Sequence, residues 1–212
     1  MATVARRSLA RRSPADDLAV DGRVARANRT RIAVVDALLQ LIDEGDLRPT
    51  APRIAEQAGV SLRSVFQHFS DLEALFAAAA ARELERLSPL VGPLPVGAPL
   101  DVRLDAFVTQ RARVLEAITP VRRASLLQEP SSPELRSSRA RLLALARGTV
   151  AEVFGAELDR RPRVDRIDLL DALDAASSWQ TWEALRAHQG LSPTRARRVM
   201  RRMLSALLEE RN

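Results

Sequence analysis

Apolar residues recur along this chain at spacings of three and four, and no stretch alternates apolar with polar residues over a strand's length. Ile32, Val35, Leu38, Leu39 and Ile42 fall on one helical face, so a helix is expected from Thr30, with Gly45 as its C-cap. Thr50 reads as the N-cap of a short second helix, with Pro52 in its first turn, running to Ala58 before Gly59 breaks it. Ser61 caps a third, with Val65, Phe66 and Phe69 on its inner side. Ser70 and Glu73 read as a capping box opening a fourth, through Leu75 and Phe76 toward Leu87. Ser88–Pro99 is a Pro/Gly-rich connector. Helices then follow at about 101–118, 120–128, 133–158, 165–188 and 193–210, and Thr119-Pro120, Ser132-Pro133 and Ser192-Pro193 each read as an N-cap before Pro. The expected class is all-α. Residues 1–27 read as a disordered, Arg-rich arm, 28–76 as a helix-turn-helix domain, and 77–212 as a second helical domain.

The most informative segment is Ile54–Phe66, Ile-Ala-Glu-Gln-Ala-Gly-Val-Ser-Leu-Arg-Ser-Val-Phe. It reads as two short helices at a steep angle with a tight turn between them. Ala55 is small where the axes approach. Gly59 occupies the turn, where a left-handed backbone penalises any residue with a Cβ. Val60 and Val65 fill the angle, and Ser61 caps the second helix so that its first N–H groups face outward, an arrangement that suits a phosphate.

Composition narrows the chemistry. There is no Cys and no Tyr, His68 and His188 are the two histidines, and all 33 basic residues are Arg. That removes thiolate nucleophiles, Cys-based metal sites, multi-histidine metal sites and every lysine-dependent reaction. No phosphate-binding Gly-rich motif and no Gly-x-Ser-x-Gly occurs. Neither enzyme activity, nor a metal, nor a cofactor is expected. No apolar run is long enough to span a bilayer and no export signal is apparent, so a cytoplasmic protein without membrane contact is expected. Net charge is +6, unevenly spread: residues 1–29 hold seven Arg against three Asp, whereas 30–87 hold six Arg against nine acids. Basicity therefore does not mark the helix-turn-helix as a nucleic-acid binder; its pattern does.

The run Ile54–Phe76, with helix 31–45 and Thr50 before it, resembles the DNA-binding domain of the TetR family of bacterial transcriptional regulators. The resemblance implies a homodimer whose third helices enter successive major grooves of double-stranded operator DNA, about 34–36 Å apart. It also implies a helical C-terminal domain that binds a small-molecule effector, here unknown, and sets that separation. Thr50 and Ser61 carry over as cap hydroxyls close to phosphate. Arg63 is the foremost base reader, able to grip guanine through O6 and N7. Ser64 and Gln67 lie on neighbouring exposed positions, and Leu62 suits a thymine methyl or faces solvent. His68 matches a phosphate-contacting His, and Arg53 is within reach of the backbone. Phe66 also falls among the residues expected at the DNA, although the family often has Tyr there and Lys where Leu72 stands, and neither replacement can make the hydrogen bond. Arg23, Arg26, Arg29 and Arg31 are expected along phosphates or in a minor groove, and Arg6, Arg7, Arg11 and Arg12 in a solvated tail.

In the last helix Ala196, Val199, Met200, Met203, Leu204, Leu207 and Leu208 form one stripe. With Leu169, Leu170, Leu173, Ala176 and Trp179 of the helix before, it suits either half of an intermolecular four-helix bundle or the protomer's own core. The dimer interface is expected at Leu173, Ala176, Val199, Met200, Met203, Leu204 and Leu207. An effector pocket is expected among Phe107, Arg111, Leu126, Leu127, Phe154, Trp179 and Trp182, with Arg111 able to pair an anion. These features imply a repressor released from its operator by a ligand; the rival is an all-helical binding or interaction protein without operator DNA.

Overall fold

A computed structural model describes residues 14–209, which form ten helices and, among the described residues, no strand. Helix α1 is Pro14–Asp43. Residues 14–27, expected in a disordered arm, are its first turns, while Arg6, Arg7, Arg11 and Arg12 lie outside the described residues. The segment Val24–Arg29 is exposed, so no apolar stripe announces it. Its Ala and Arg favour helix, and extension from an already packed helix adds no nucleation cost. Beyond Thr30 the expected face is buried: Val35, Leu38, Leu39 and Ile42 enter the core, joined by Val34, whereas Ile32 stays exposed. Gly45, at φ +97°, ends the helix, with its N–H on the Ile42 carbonyl and the Asp46 N–H on that of Leu41.

Helices α2 (Ala51–Gln57), α3 (Leu62–His68) and α4 (Leu72–Leu87) follow. The α4 cap differs from expectation by one residue. Asp71 is the N-cap, accepting from the Ala74 N–H at 2.7 Å, and Ser70 donates its hydroxyl to the Asp71 carboxylate at 3.0 Å. A carboxylate accepts more strongly than a hydroxyl and suits the positive helix end. The amide of Ala74 and then the Ser70 hydroxyl hold the Asp71 carboxyl below its ordinary value.

After a short 3-10 turn and an irregular connector, α5 runs unbroken over Leu100–Gln128 with Pro120 inside it. Two helices were expected here. Thr119 does not cap a new helix: its hydroxyl donates to the Leu115 carbonyl at 2.7 Å and accepts the Trp179 indole N–H at 3.1 Å. Ala112, Leu115, Val121 and Ala124 are buried on both sides of the proline, so packing holds the helix together where one backbone bond is missing. Conversely, the helix expected over 133–158 divides into α6 (Pro133–Val153) and α7 (Gly155–Asp159) at the buried Phe154. The helix expected over 165–188 divides into α8 (Arg163–Ala176) and α9 (Trp179–Glu183) at Ser177-Ser178, and α9 relaxes into a wide turn over Ala184–His188. Helix α10 is Pro193–Leu208. The Ser132 and Ser192 caps form as expected, each side chain accepting an N–H three residues on.

Two apolar cores result. The first gathers α1–α4 with Val121 and Ala124 of α5 and Leu135 of α6. The second gathers α5–α10 around Phe107, Phe154, Leu173, Trp182, Met200 and Leu204. The expected domain boundary at residue 76 falls inside α4, which belongs to the first core and continues beside the second half of the chain.

A buried ion pair locks the second core. Arg103, 5% exposed, donates to Glu157, 8% exposed, at 2.9 and 2.5 Å, and also to the carbonyls of Ala98 and Val153. The Arg103 hydrogen bonds hold the Glu157 carboxyl below its ordinary 4.5 despite burial. Arg103→Met is expected to lower unfolding free energy by about 3–5 kcal/mol, because it strands a buried carboxylate, and Glu157→Leu in that background to restore part of it, both read by urea denaturation. Because the folded pKa is depressed, the pair's contribution is present above the ordinary Glu range and fades as pH falls through the folded value. The gap between wild type and Glu157→Gln is therefore expected to narrow in acid.

Glycine supplies a paired test. A Cβ at either Gly59 or Gly148 would meet open space, but Gly59 has φ +66° and Gly148 lies within α6. Gly59→Ala is expected to destabilise by about 1 kcal/mol and Gly148→Ala to stabilise by about 0.5–1 kcal/mol, opposite signs for one chemical change.

Candidate nucleic-acid interface

The turn between α2 and α3 is built by its backbone. Gly59 N–H reaches the Glu56 carbonyl and Val60 N–H the Ala55 carbonyl, both at 3.0 Å, a helix ending that needs the left-handed residue Gly59. Ile54, Ala55 and Val65 are buried beneath it, and Val60 packs against them half-buried. With Val65 inward, the register sends Leu62, Arg63, Phe66 and Gln67 outward, all exposed. Phe66, expected inside, is 48% exposed, since it follows Val65 by about 100° around the helix. Ser64 and His68 flank this face half-buried, and α3 is not covered by its own chain among the described residues.

The caps frame the face. Thr50 is the N-cap of α2 and its hydroxyl makes no capping bond, leaving it exposed and available. Ser61 Oγ accepts from the Ser64 N–H at 3.1 Å and keeps its own proton to donate. Arg63 has no carboxylate partner among the described residues, whereas Arg53 lies 3.4 Å from Asp46. Arg29 is exposed on α1. The Arg31 guanidinium sits 4.7 Å over the ring of Phe69, which ties α1 to the end of α3. The outward groups therefore offer one guanidinium, one amide, hydroxyls at the helix ends and two apolar side chains.

The second half holds the other candidate site. Two adjoining cavities, about 210 and 340 Å³, lie among α4, α5 and α6 and share Leu84, Leu87, Arg111, Val114, Leu142 and Ala146. Of the residues expected there, Phe107, Arg111 and Trp179 line them. The other four do not. Phe154 is fully buried, edge-on to Phe107 at 5.2 Å, and Trp182 is core, its indole N–H on Glu116 at 2.9 Å. Leu126 and Leu127 are exposed, because Ile118, Val121, Arg122 and Ser125 of α5, with the C-cap Glu129, are the positions that turn inward. Glu83, Leu84 and Leu87 of α4, not among the residues expected there, also line the cavities. Glu83 had a findable signal: it follows Phe76 and Ala79 on the buried side of α4, at helical spacing before Leu87.

The α10 stripe is divided in the same way. Met200 and Leu204, with Leu173 of α8, were expected between protomers but are enclosed by their own chain. Val199, Met203 and Leu207, on the adjoining line of α10, and Ala176 remain half-buried. No helix among the described residues is long and apolar enough to cross a membrane.

Residues 34–79 match the family model for bacterial regulatory proteins of the tetR family. No curated protein matches the chain by sequence. Solved structures share its fold. A transcriptional regulator from Rhodococcus sp. Rha1 is 20% identical with a TM-score of 0.63, over 86% of this chain and 95% of that one. A TetR-family regulator from Mesorhizobium loti MAFF303099, so described provisionally, is 18% identical with a TM-score of 0.58, over 86% and 96%. The multidrug binding protein EbrR, complexed with imidazole, is 19% identical with a TM-score of 0.56, over 82% and 93%. Residues 34–79 thus carry the sequence pattern of the tetR family of bacterial regulatory proteins, and the chain as a whole shares its fold with solved transcriptional regulators.

Proposed function

We propose that this protein is a transcriptional repressor: a homodimer that holds a near-palindromic operator and releases it when a small molecule fills the cavities beside α4. The observation that carries the reading is the double membership of α4. Leu75, Phe76 and Ala79 pack into the same core as α2 and α3, while Glu83, Leu84 and Leu87 of the same helix line the cavities. Arg82 meets Asp36 at 3.2 Å and Arg86 meets Asp43 at 3.1 Å, so α4 is also keyed to α1. A ligand that favours one position of α4 over another biases where α3 stands, and only such differential affinity can move the equilibrium. A fold relative that holds imidazole supports a ligand-responsive reading.

At the DNA, Arg63 reads a base edge, with Gln67 and Ser64 beside it and Leu62 and Phe66 giving apolar contact. Thr50, Ser61, His68, Arg53, Arg29 and Arg31 address the backbone. The half-buried line Val199, Met203 and Leu207, with Ala176, forms the two-fold contact.

Fluorescence anisotropy on DNA from upstream of the protein's own gene, across a salt series, tests the reading. Arg63→Ala is expected to cost ~1–3 kcal/mol on the preferred sequence and to erase preference at one position. Arg53→Ala is expected to weaken all sequences alike and to flatten the salt slope. Sequence-independent binding by the wild type, or a preference untouched by Arg63→Ala, overturns it. For the dimer, Met203→Glu with Leu207→Glu is expected to give a folded monomer by light scattering with circular dichroism. A dimer that survives both changes removes this interface.

A further inference from the structure

The cavities carry charges whose pairing is uneven. Arg122 and Arg139 share Glu129, at 2.7 and 3.5 Å, and Asp174 lies 3.8 Å from Arg147. Glu83 is 7% exposed and its Oε2 makes no hydrogen bond; Arg86 stands 3.3 Å from it outside bonding geometry. Arg111 lines both chambers, and no carboxylate lies within 4 Å of it among the described residues. It donates to the Ala146 carbonyl at 2.9 Å and stacks 4.9 Å from the Phe107 ring.

Buried Glu83 and half-buried Arg111, both poorly paired, differ in what they can do about desolvation. Burial pushes the Glu83 carboxyl up, with Asp43 adding to the rise and Arg86 opposing it, and the group can shed its charge by taking a proton. Burial also pushes Arg111 down, opposed by the more distant Asp174, but a guanidinium does not give up its proton in a protein. Arg111 therefore stays cationic, half-buried beside the apolar wall of the cavities, with most of its N–H donors unused.

We propose that the cavity selects an apolar molecule with a single anionic head, a carboxylate in its simplest form, seated on the Arg111 guanidinium. The planar fork of Arg111 matches the two oxygens of a carboxylate. The common wall of Leu84, Leu87, Val114 and Leu142 receives the apolar body. This rests on the cavity being the effector site proposed above.

Three probes of one chain length separate the possibilities: decanoate, decan-1-ol and decylammonium, titrated into the full-length protein by calorimetry and by the fluorescence of Trp179, which lines the smaller chamber. Decanoate is expected to bind at least tenfold more tightly than either of the others. Arg111→Met is expected to erase that preference, Arg111→Lys to keep part of it, and Glu83→Gln to leave it in place, each variant first checked for wild-type helicity and melting. The ranking of the three probes on the wild type needs no variant. Tighter binding of decylammonium, an unchanged preference in Arg111→Met, or no binding by any probe overturns the proposal. If decanoate is preferred yet leaves operator DNA bound, the anion site stands and the effector reading fails. If decan-1-ol or decylammonium releases the DNA instead, the effector reading stands and the anion site fails.

Discussion

The structure depends on one shared burial: the apolar stripe of α4 cannot be covered by either half of the chain alone. Leu75, Phe76 and Ala79 close against Val34, Leu38 and Ile42 of α1 on one side, and the same core takes in Val121, Ala124 and Leu135 from beyond the connector. The ion pairs of Arg82 with Asp36 and Arg86 with Asp43 lie at the rim and are partly exposed. Pairs of that kind contribute little stability. Their use is positional, fixing which turn of α4 faces which turn of α1, while apolar burial supplies the attachment.

That attachment explains how a seven-residue helix can present a defined face. A helix as short as α3 has no stability of its own in water. It is held at its start by the Ser61 cap, beneath by Val65, and at its end by Phe69, which is buried and covered by Arg31. One buried residue within α3 and an anchor at each end leave the outward positions fixed in direction, although nothing covers them. The orientation of Arg63 and Gln67 is thus a consequence of core packing rather than of any interaction those side chains make.

Building with arginine alone has consequences elsewhere. A permanent planar cation must find carboxylates, carbonyls or aromatic faces wherever it is drawn inward. Arg103 finds Glu157 with two backbone carbonyls, Arg186 finds Glu116, and Arg122 finds Glu129 and the Trp179 ring. The Arg186 hydrogen bonds, followed by that of Trp182, hold the Glu116 carboxyl low against its burial. Arg111 is set apart because its partners are a carbonyl and a ring, which satisfy part of its hydrogen bonding but none of its charge.

Signals that act within about one helical turn were legible from the residues in order. Gly45 and Gly59, the Ser61, Ser132 and Ser192 caps, and the outward position of Arg63 relative to Val65 all follow from hydrogen bonds or rotations spanning three to five residues. Thr119-Pro120 carried the same local signature as Ser132-Pro133 and meant something else, because Trp179 and the buried residues on both sides of the proline are distant in sequence. Likewise one stripe on α10 held both Met200, enclosed by its own chain, and Met203, half open, and Phe107 and Phe154 looked alike until one lined a cavity and the other only the core. The order of residues determined where helices cap and which way each side chain leaves its axis. Which of those faces meet a neighbour, an opening or water was decided by tertiary packing, since burial is a property of partners brought together from far along the chain.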